Sequence, residues 1–216
     1  MGREKNKIEQ TYDVVAAEYA DAFSTEHDNK PMDREILARF AGEVGDVKPV
    51  WDFGCGPGHT TKHLADLGVE ISGMDLSDGM VTQARARFPG IHFRKGNLLD
   101  LEFDDGSIAA VVSFYSIVHF TKAEVAVTFA EIFRVLRPGG LFLFTYHIGD
   151  ETMHIDEFLE HDVDIDFMFF TTKFIKSCLE QCGFERIEMI ERPPYPEVEY
   201  QSRRAYVFAY RPSLGK

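Results

Sequence analysis

The sequence predicts an α/β fold in which a parallel sheet is covered by helices on both faces and finished by an antiparallel hairpin. Three observations lead there. Short apolar runs alternate with stretches of helical periodicity from Val50 to Tyr146. The later runs, Ile108–Phe114 and Gly140–Tyr146, are apolar at nearly every position, which a strand requires only when both of its faces are buried. Near the end, the runs Phe184–Glu191 and Arg204–Tyr210 are joined across Pro193-Pro194-Tyr195-Pro196 by too few residues for a helical crossover, so they must pair antiparallel.

The elements follow in order. From Ile8 to Ala41 apolar residues recur at helical spacing, as at Tyr12, Val15, Ala16, Tyr19 and Phe23 and again at Ile36, Leu37 and Phe40. A break at Asn29-Lys30-Pro31 divides them into two or three helices. Val50–Phe53 is the first strand, and Thr60–Leu67 a helix stopped by Gly68. Glu70–Met74 is the second strand, and Gly79–Phe88 a helix stopped by Pro89-Gly90. Ile91–Arg94 and the almost wholly apolar Ile108–Phe114 are the third and fourth strands. Lys122–Leu136 is a helix and Gly140–Tyr146 the fifth strand. An acidic stretch, Glu151–Asp166, and an aromatic cluster, Phe167, Phe169 and Phe170, form an insert. A helix over Thr172–Cys182 then ends at Gly183 and leads into the hairpin. The 216 residues suit a single domain, with a helical cap over 1–45, a ligand-binding core over 46–148, the insert over 149–171 and the C-terminal helix and hairpin over 172–216.

Charge narrows the partners. The chain has 23 Lys and Arg against 36 Asp and Glu, a formal net charge of -13, which repels polyphosphates at long range and disfavours a nucleic-acid substrate. Arg203-Arg204 is the one basic pair singled out against that trend. Cys55, Cys178 and Cys182 form neither a disulfide framework nor a pair with metal-ligand spacing, so no metal is expected and a reducing cytoplasm fits. The opening MGREKNK lacks the apolar stretch of a signal peptide, and Asn6 stands where myristoylation needs Ser or Thr. The longest apolar runs are too short to span a bilayer.

The strongest local signal is Asp52-Phe53-Gly54-Cys55-Gly56-Pro57-Gly58, between the first strand and its helix. Glycines let the backbone turn sharply against a ligand, and the following helix offers N–H groups and a positive dipole end to an anion. That anion is the carboxylate of S-adenosylmethionine (SAM) on one reading and a dinucleotide pyrophosphate on another. The dinucleotide pattern needs a third small residue where this chain has His59, which makes the pyrophosphate reading the weaker. Asp75 ends the second strand about twenty residues beyond Gly54, where a carboxylate can accept from both hydroxyls of a ribose. Its rival role is to cap the following helix, with Ser77 and Asp78 as competing caps.

These motifs resemble the class I SAM-dependent methyltransferases, particularly their small-molecule branch, along almost the whole chain. Asp52–Gly58, with Cys55, Gly56 and His59, is similar to the family's glycine-rich motif. Asp75 with Leu76 is similar to its ribose acid. Asn97 and Leu98 stand where the family contacts adenine, with Asn97 in place of the usual Asp, and Ser113, Phe114 and Tyr115 where it lines the methyl end. Leu136-Arg137-Pro138-Gly139-Gly140 and Cys182-Gly183-Phe184 match its entries to the fifth and sixth strands. The resemblance implies a Rossmann-like seven-stranded sheet in the order 3-2-1-4-5-7-6 with the last strand antiparallel. It also implies SAM as cofactor, S-adenosylhomocysteine (SAH) as product, and an N-terminal helical lid. Tyr12-Asp13-x-x-Ala16-x-x-Tyr19 is similar to that lid, with Tyr12 and Tyr19 on one helical face and within reach of the cofactor.

The acceptor end is expected just after the fourth strand, where His119 is the candidate general base and His147, His154 and His161 are rivals. Ligands bind outside the carboxyl ends of parallel strands, so the loop after the sixth strand should open on that side and bring Tyr195, Glu197, Glu199, Tyr200 and Arg203 towards substrate. Tyr115, Phe120, His147 and the cluster with Phe169 suggest an apolar or aromatic small acceptor with an O or N nucleophile. Alternatively, the insert aromatics form a homodimer interface. A SAM-binding regulator without transfer activity, a methyltransferase acting on RNA or protein, and a nicotinamide-dependent oxidoreductase are the competing functions.

Overall fold

The computed structural model describes residues 2–213. Met1, residues 214–216 and the side chains of residues 2–6, Asn6 among them, lie outside the described part, and most of the MGREKNK segment read above lies there with them. The chain opens with α1 (Gly2–Val14) and α2 (Ala16–Ala22), a short 3-10 turn (Glu26–Asn29), and α3 (Pro31–Val44) with proline in its first turn. Then come β1 (Val50–Phe53), α4 (His59–Asp66), β2 (Ile71–Asp75), α5 (Asp78–Arg87), β3 (Phe93–Lys95), β4 (Ile108–Phe114), α6 (Lys122–Val135) and β5 (Leu136–His147). A pair of strands, β6 (Thr152–Phe158) and β7 (His161–Met168), precedes α7 (Thr172–Cys182), β8 (Glu185–Arg192) and β9 (Arg204–Tyr210).

The main sheet runs β3-β2-β1-β4-β5-β9-β8, with β9 antiparallel to both of its neighbours. Once β6 and β7 are set aside, this is the expected seven-strand order. Side-chain alternation divides the core into two layers. Trp51, Phe53, Val111, Ala205 and Val207 face a cluster with α6 and α7, while Val50, Ala110, Val112, Tyr206 and Phe208 face one with α3 and α4. Polar caps set the helix starts. Thr121 and Glu124 form a reciprocal capping box on α6, Thr171 caps α7, and Gly183 ends α7 in the left-handed region.

Two expectations are corrected. β5 begins at Leu136, which pairs beside Ile108, and the register then shifts across a bulge, with Gly139 at φ +79°, before Leu141 pairs with Ala110. The insert is a two-stranded antiparallel sheet, in which Thr152 opposes Met168 and Phe158 opposes His161. Its alternation is of polar with partly buried residues, a weak signal for strands that cover a cavity on one face only. Among the described residues no helix is long and apolar enough to cross a membrane.

Candidate functional site

The glycine loop leaves β1 and is pinned at once to β2, since Gly54 and Cys55 both donate their N–H to the carbonyl of Met74, at 2.8 and 3.0 Å. Gly54 has φ +74°, and a Cβ placed on it would stand 2.3 Å from the Cβ of Ser116. The close approach that demands glycine there is therefore made by the segment after β4. At Gly56, φ +52°, the space beside the backbone is open, which leaves room for a ligand against the loop. Beneath it Asp52 is buried, accepts a hydrogen bond of 2.6 Å from Thr61, and has its carboxyl pushed up to about 7 by burial.

Asp75 closes β2 with both oxygens held by backbone. Oδ2 accepts from Gly56 at 2.8 Å and Oδ1 from Ser77 at 2.9 Å. Ser77, and not Asp75, caps α5, accepting from Met80 at 3.0 Å. Asp75 is thus fixed in place with lone pairs to spare, although burial raises its pKa. Asp52, Gly56 and Asp75 line one cavity of about 300 Å³. An anchored carboxylate beside a glycine turn, with the first turn of α4 opening on the same cavity through His59 and Thr60, fits the ribose and the amino-acid end of an adenosyl ligand.

At the other end of the cavity three distant segments meet. His119, in the loop after β4, has Nδ1 2.7 Å from the carbonyl oxygen of Asp166 on β7 and Nε2 2.8 Å from the hydroxyl of Tyr12 on α1. A carbonyl only accepts, so Nδ1 carries the proton and Nε2 offers its lone pair to the tyrosine O–H. Burial pulls the histidine pKa down, so the ring is neutral near pH 7. The same burial holds the Tyr12 hydroxyl protonated. The phenyl ring of Phe167 packs edge-on to the imidazole at 4.6 Å. Above them α1 lies against β7, with Lys7 paired to Asp164.

Of the residues expected from sequence, the cavity brings together Tyr12, Tyr19, Asp52, Gly54, Cys55, Gly56, His59, Asp75, Leu76, Asn97, Leu98, Phe114, Tyr115 and His119. Gly58 instead serves the packing, as the left-handed cap of α4 against Phe93. Ser113 is buried and donates to the carbonyl of Phe53 at 2.8 Å. Asn97 uses its carboxamide oxygen on the N–H of Leu99 at 3.0 Å. Tyr115 lines the cavity with its ring, from a left-handed backbone of φ +53°, yet its hydroxyl is buried and unpartnered inside the protein.

The other acceptor-side expectations need correction. The loop between β8 and β9 does open beside the end of β5, where Ser202 meets His147 at 2.7 Å, but its side chains are committed elsewhere. Tyr195 accepts from the N–H of Met32, Arg203 is exposed and pairs with Glu191, and Tyr200 is exposed against His147 and Phe169. His147 is pulled down to about 3 by burial and by Arg204, and does not line the cavity. Nor does Phe169, which with Phe170 is buried inside the chain, so that neither is available as a dimer surface. His154 pairs with Asp166 on the exposed hairpin, and His161 stands near Glu18. Sequence reasoning missed Ser116, which lines the cavity from the segment after β4, and Asp166 and Met168, which line it because β7 covers it. The polar alternation across Glu151–Asp166 was the available signal.

A methyltransferase-domain family profile matches residues 50–140, which hold the glycine loop, Asp75 and the end of β4. The chain is 40% identical over 96 residues to a probable SAM-dependent methyltransferase of Mycolicibacterium smegmatis. Over that domain in sequence, and in fold, the chain is similar to SAM-dependent methyltransferases. The match to the M. smegmatis methyltransferase covers 44% of this chain and 37% of that relative. A putative methyltransferase of Bacillus subtilis is 30% identical over 128 residues, 56% of this chain and 52% of its own. The chain therefore spans about half or less of these curated relatives' length. A SAM-dependent methyltransferase from Methanosarcina mazei shares the fold, with a TM-score of 0.68 at 19% identity over 78% of this chain and all of its own. This likeness to SAM-dependent methyltransferases agrees with SAM as the ligand that the site fits.

Proposed function

We propose that the chain transfers a methyl group from SAM to an oxygen or nitrogen nucleophile of a small molecule, with His119 as the acceptor-side base. One observation carries the reading: a single cavity has an anchored carboxylate, Asp75, at one end and an imidazole of fixed tautomer, His119, at the other. Asp75 would hold the ribose hydroxyls, the Gly54–Gly58 loop and the first turn of α4 the methionine carboxylate, and Asn97 and Leu98 the adenine. Tyr12 and Tyr19 close the roof. When bound, SAM supplies an electrophilic methyl group on a sulfonium whose leaving thioether is neutral.

The protein's task is then alignment and one proton. An acceptor O–H or N–H takes the place of the Tyr12 hydroxyl on His119 Nε2, gives up its proton there, and the imidazolium returns it to solvent. Alignment within a closed cavity can supply on the order of 7–11 kcal/mol, whereas a general base adds a factor of about 10² to 10⁴. A small neutral or cationic acceptor is supported by the lining. Its carboxylates include Glu124, Asp164 and Asp166, and its one Lys or Arg among the described residues, Lys7, is paired to Asp164. The net charge of -13 supports the same choice over nucleic acid. Cytoplasmic placement rests on the three free thiols.

Calorimetry with SAM, SAH and NAD tests the cofactor half of this reading. SAM and SAH should bind and NAD should not, and Asp75→Ala should weaken SAH about 100-fold, as loss of two charge-assisted hydrogen bonds implies. Unchanged affinity in Asp75→Ala would sink the assignment. Methyl transfer to a panel of phenols, amines and carboxylic acids tests the rest, and binding with no transfer to any of them would favour a non-catalytic SAM sensor.

A further inference from the structure

The roof helix is fastened to the cofactor end by a chain of hydrogen bonds. Asp13, the neighbour of Tyr12 on α1, accepts with Oδ1 from the Ser77 hydroxyl at 2.5 Å and from the Gly79 N–H at 2.8 Å. Ser77 is buried, and its N–H donates at 2.9 Å to the Asp75 oxygen opposite the one held by Gly56. One uninterrupted series therefore runs from the roof through Ser77 and Asp75 into the glycine loop. A carboxylate at this place also answers the positive end of α5, which begins at Asp78.

Packing points to the same seat. A Cβ on Gly79 would stand 2.9 Å from the Cα and from the carbonyl oxygen of Asp13 and 3.1 Å from the Cβ of Ala16. Two of these are backbone atoms, so α1 lies as close to the first turn of α5 as glycine permits. Val15, Ala16 and Met80 are buried together there beside Tyr12 and Tyr19. Further along, Glu9 and Asp78 both pair with Lys95, and Asp21 pairs with Arg87 near the far end of α5.

We propose that Asp13 is a positioning residue of this site, which seats the roof helix on α5 and, through Ser77, couples that seat to the grip of Asp75 on the cofactor. The inference rests on the functional reading above. Two consequences follow from reciprocity of coupling: filling the cofactor site should quieten the roof, and loosening the roof should weaken the cofactor.

The test combines SAH calorimetry with amide hydrogen exchange over residues 8–22 in the wild type, Asp13→Ala, Asp13→Asn and Gly79→Ala. In the wild type, SAH should slow exchange across that segment. Asp13→Ala should weaken SAH roughly five- to tenfold and speed exchange over residues 8–22. Asp13→Asn, which keeps an accepting oxygen, should recover most of the affinity. Gly79→Ala leaves the carboxylate in place but wedges the helices apart, and should reproduce the loss. The proposal is overturned if Asp13→Ala binds SAH within twofold of the wild type, or if its exchange over residues 8–22 is unchanged. A wild type that ignores SAH would instead sink the functional reading, and exchange in Asp13→Ala would then judge the seat by itself.

Discussion

The two ends of the cavity are built differently. At the Asp75 end the groups come from one stretch of chain, residues 52–98, and much of the binding surface is backbone at the tips of adjacent parallel strands. At the His119 end, Tyr12, His119 and Asp166 come from a helix before the sheet, a loop after its central strand and a hairpin outside it. A ligand common to many enzymes can be held by the fold itself. On the proposed function, the part that would recognise a particular acceptor is assembled from peripheral elements that can change without disturbing the sheet.

The sharpest way to break this contrast is at Gly54. An added methyl group there must push Ser116 aside and force alanine into a left-handed backbone, so both ends are disturbed through one atom. Gly54→Ala should cost SAH at least about 100-fold in affinity. It should also lower the thermal midpoint by roughly 3–10 °C, given a strain of about 1–3 kcal/mol. Near-normal SAH binding in calorimetry would mean that the loop is not the rigid half.

The same contrast explains what could be read from the sequence. β1, β4, α7 and β9 were legible to the residue because strands buried on both faces are mostly apolar and helices carry caps and stops, such as Thr171 and Gly183. The place of Asp75 on the cavity was legible because it depends only on its position at a strand tip. His119 could be nominated from its place after β4, but its tautomer depends on a carbonyl 47 residues away, which no spacing rule reaches. Tyr195, Tyr200 and Arg203 mislead for the opposite reason. Topology puts their loop on the correct side, while Met32 and Glu191 claim Tyr195 and Arg203 and Tyr200 stays outside against His147 and Phe169.

A smaller effect should separate the two ends cleanly. His119→Ala removes the proton acceptor and leaves Asp75, Gly56 and Ser77 untouched, so SAH affinity should stay within about threefold while kcat falls roughly 100-fold. The drop should be less severe than the failure of Gly54→Ala, because alignment contributes more than the base does. Loss of all measurable turnover with SAH binding intact would reverse that ranking and make proton transfer the dominant contribution.

The smallest expected effect concerns charge at the cofactor end. Asp52 is buried with a pKa of about 7, raised first by loss of solvation, opposed by the hydroxyl of Thr61, and raised again by Asp75. A cationic ligand nearby favours the ionised carboxylate and so releases a proton on binding, which means affinity must increase as pH rises through 7. SAM carries a sulfonium and SAH a neutral thioether on the same amino-acid group, whose amine the sulfonium acidifies, and the Asp52→Asn variant measures what that amine adds to their ratio. Between pH 6 and pH 8 the preference for SAM over SAH should therefore grow by about three- to tenfold, the ceiling for a single proton being about tenfold per pH unit. In Asp52→Asn that growth should shrink to what the ligand amine alone contributes. A ratio independent of pH in the wild type, or an equal slope in the asparagine variant, would show that Asp52 does not sense the sulfonium and that the cofactor end selects by hydrogen bonds alone.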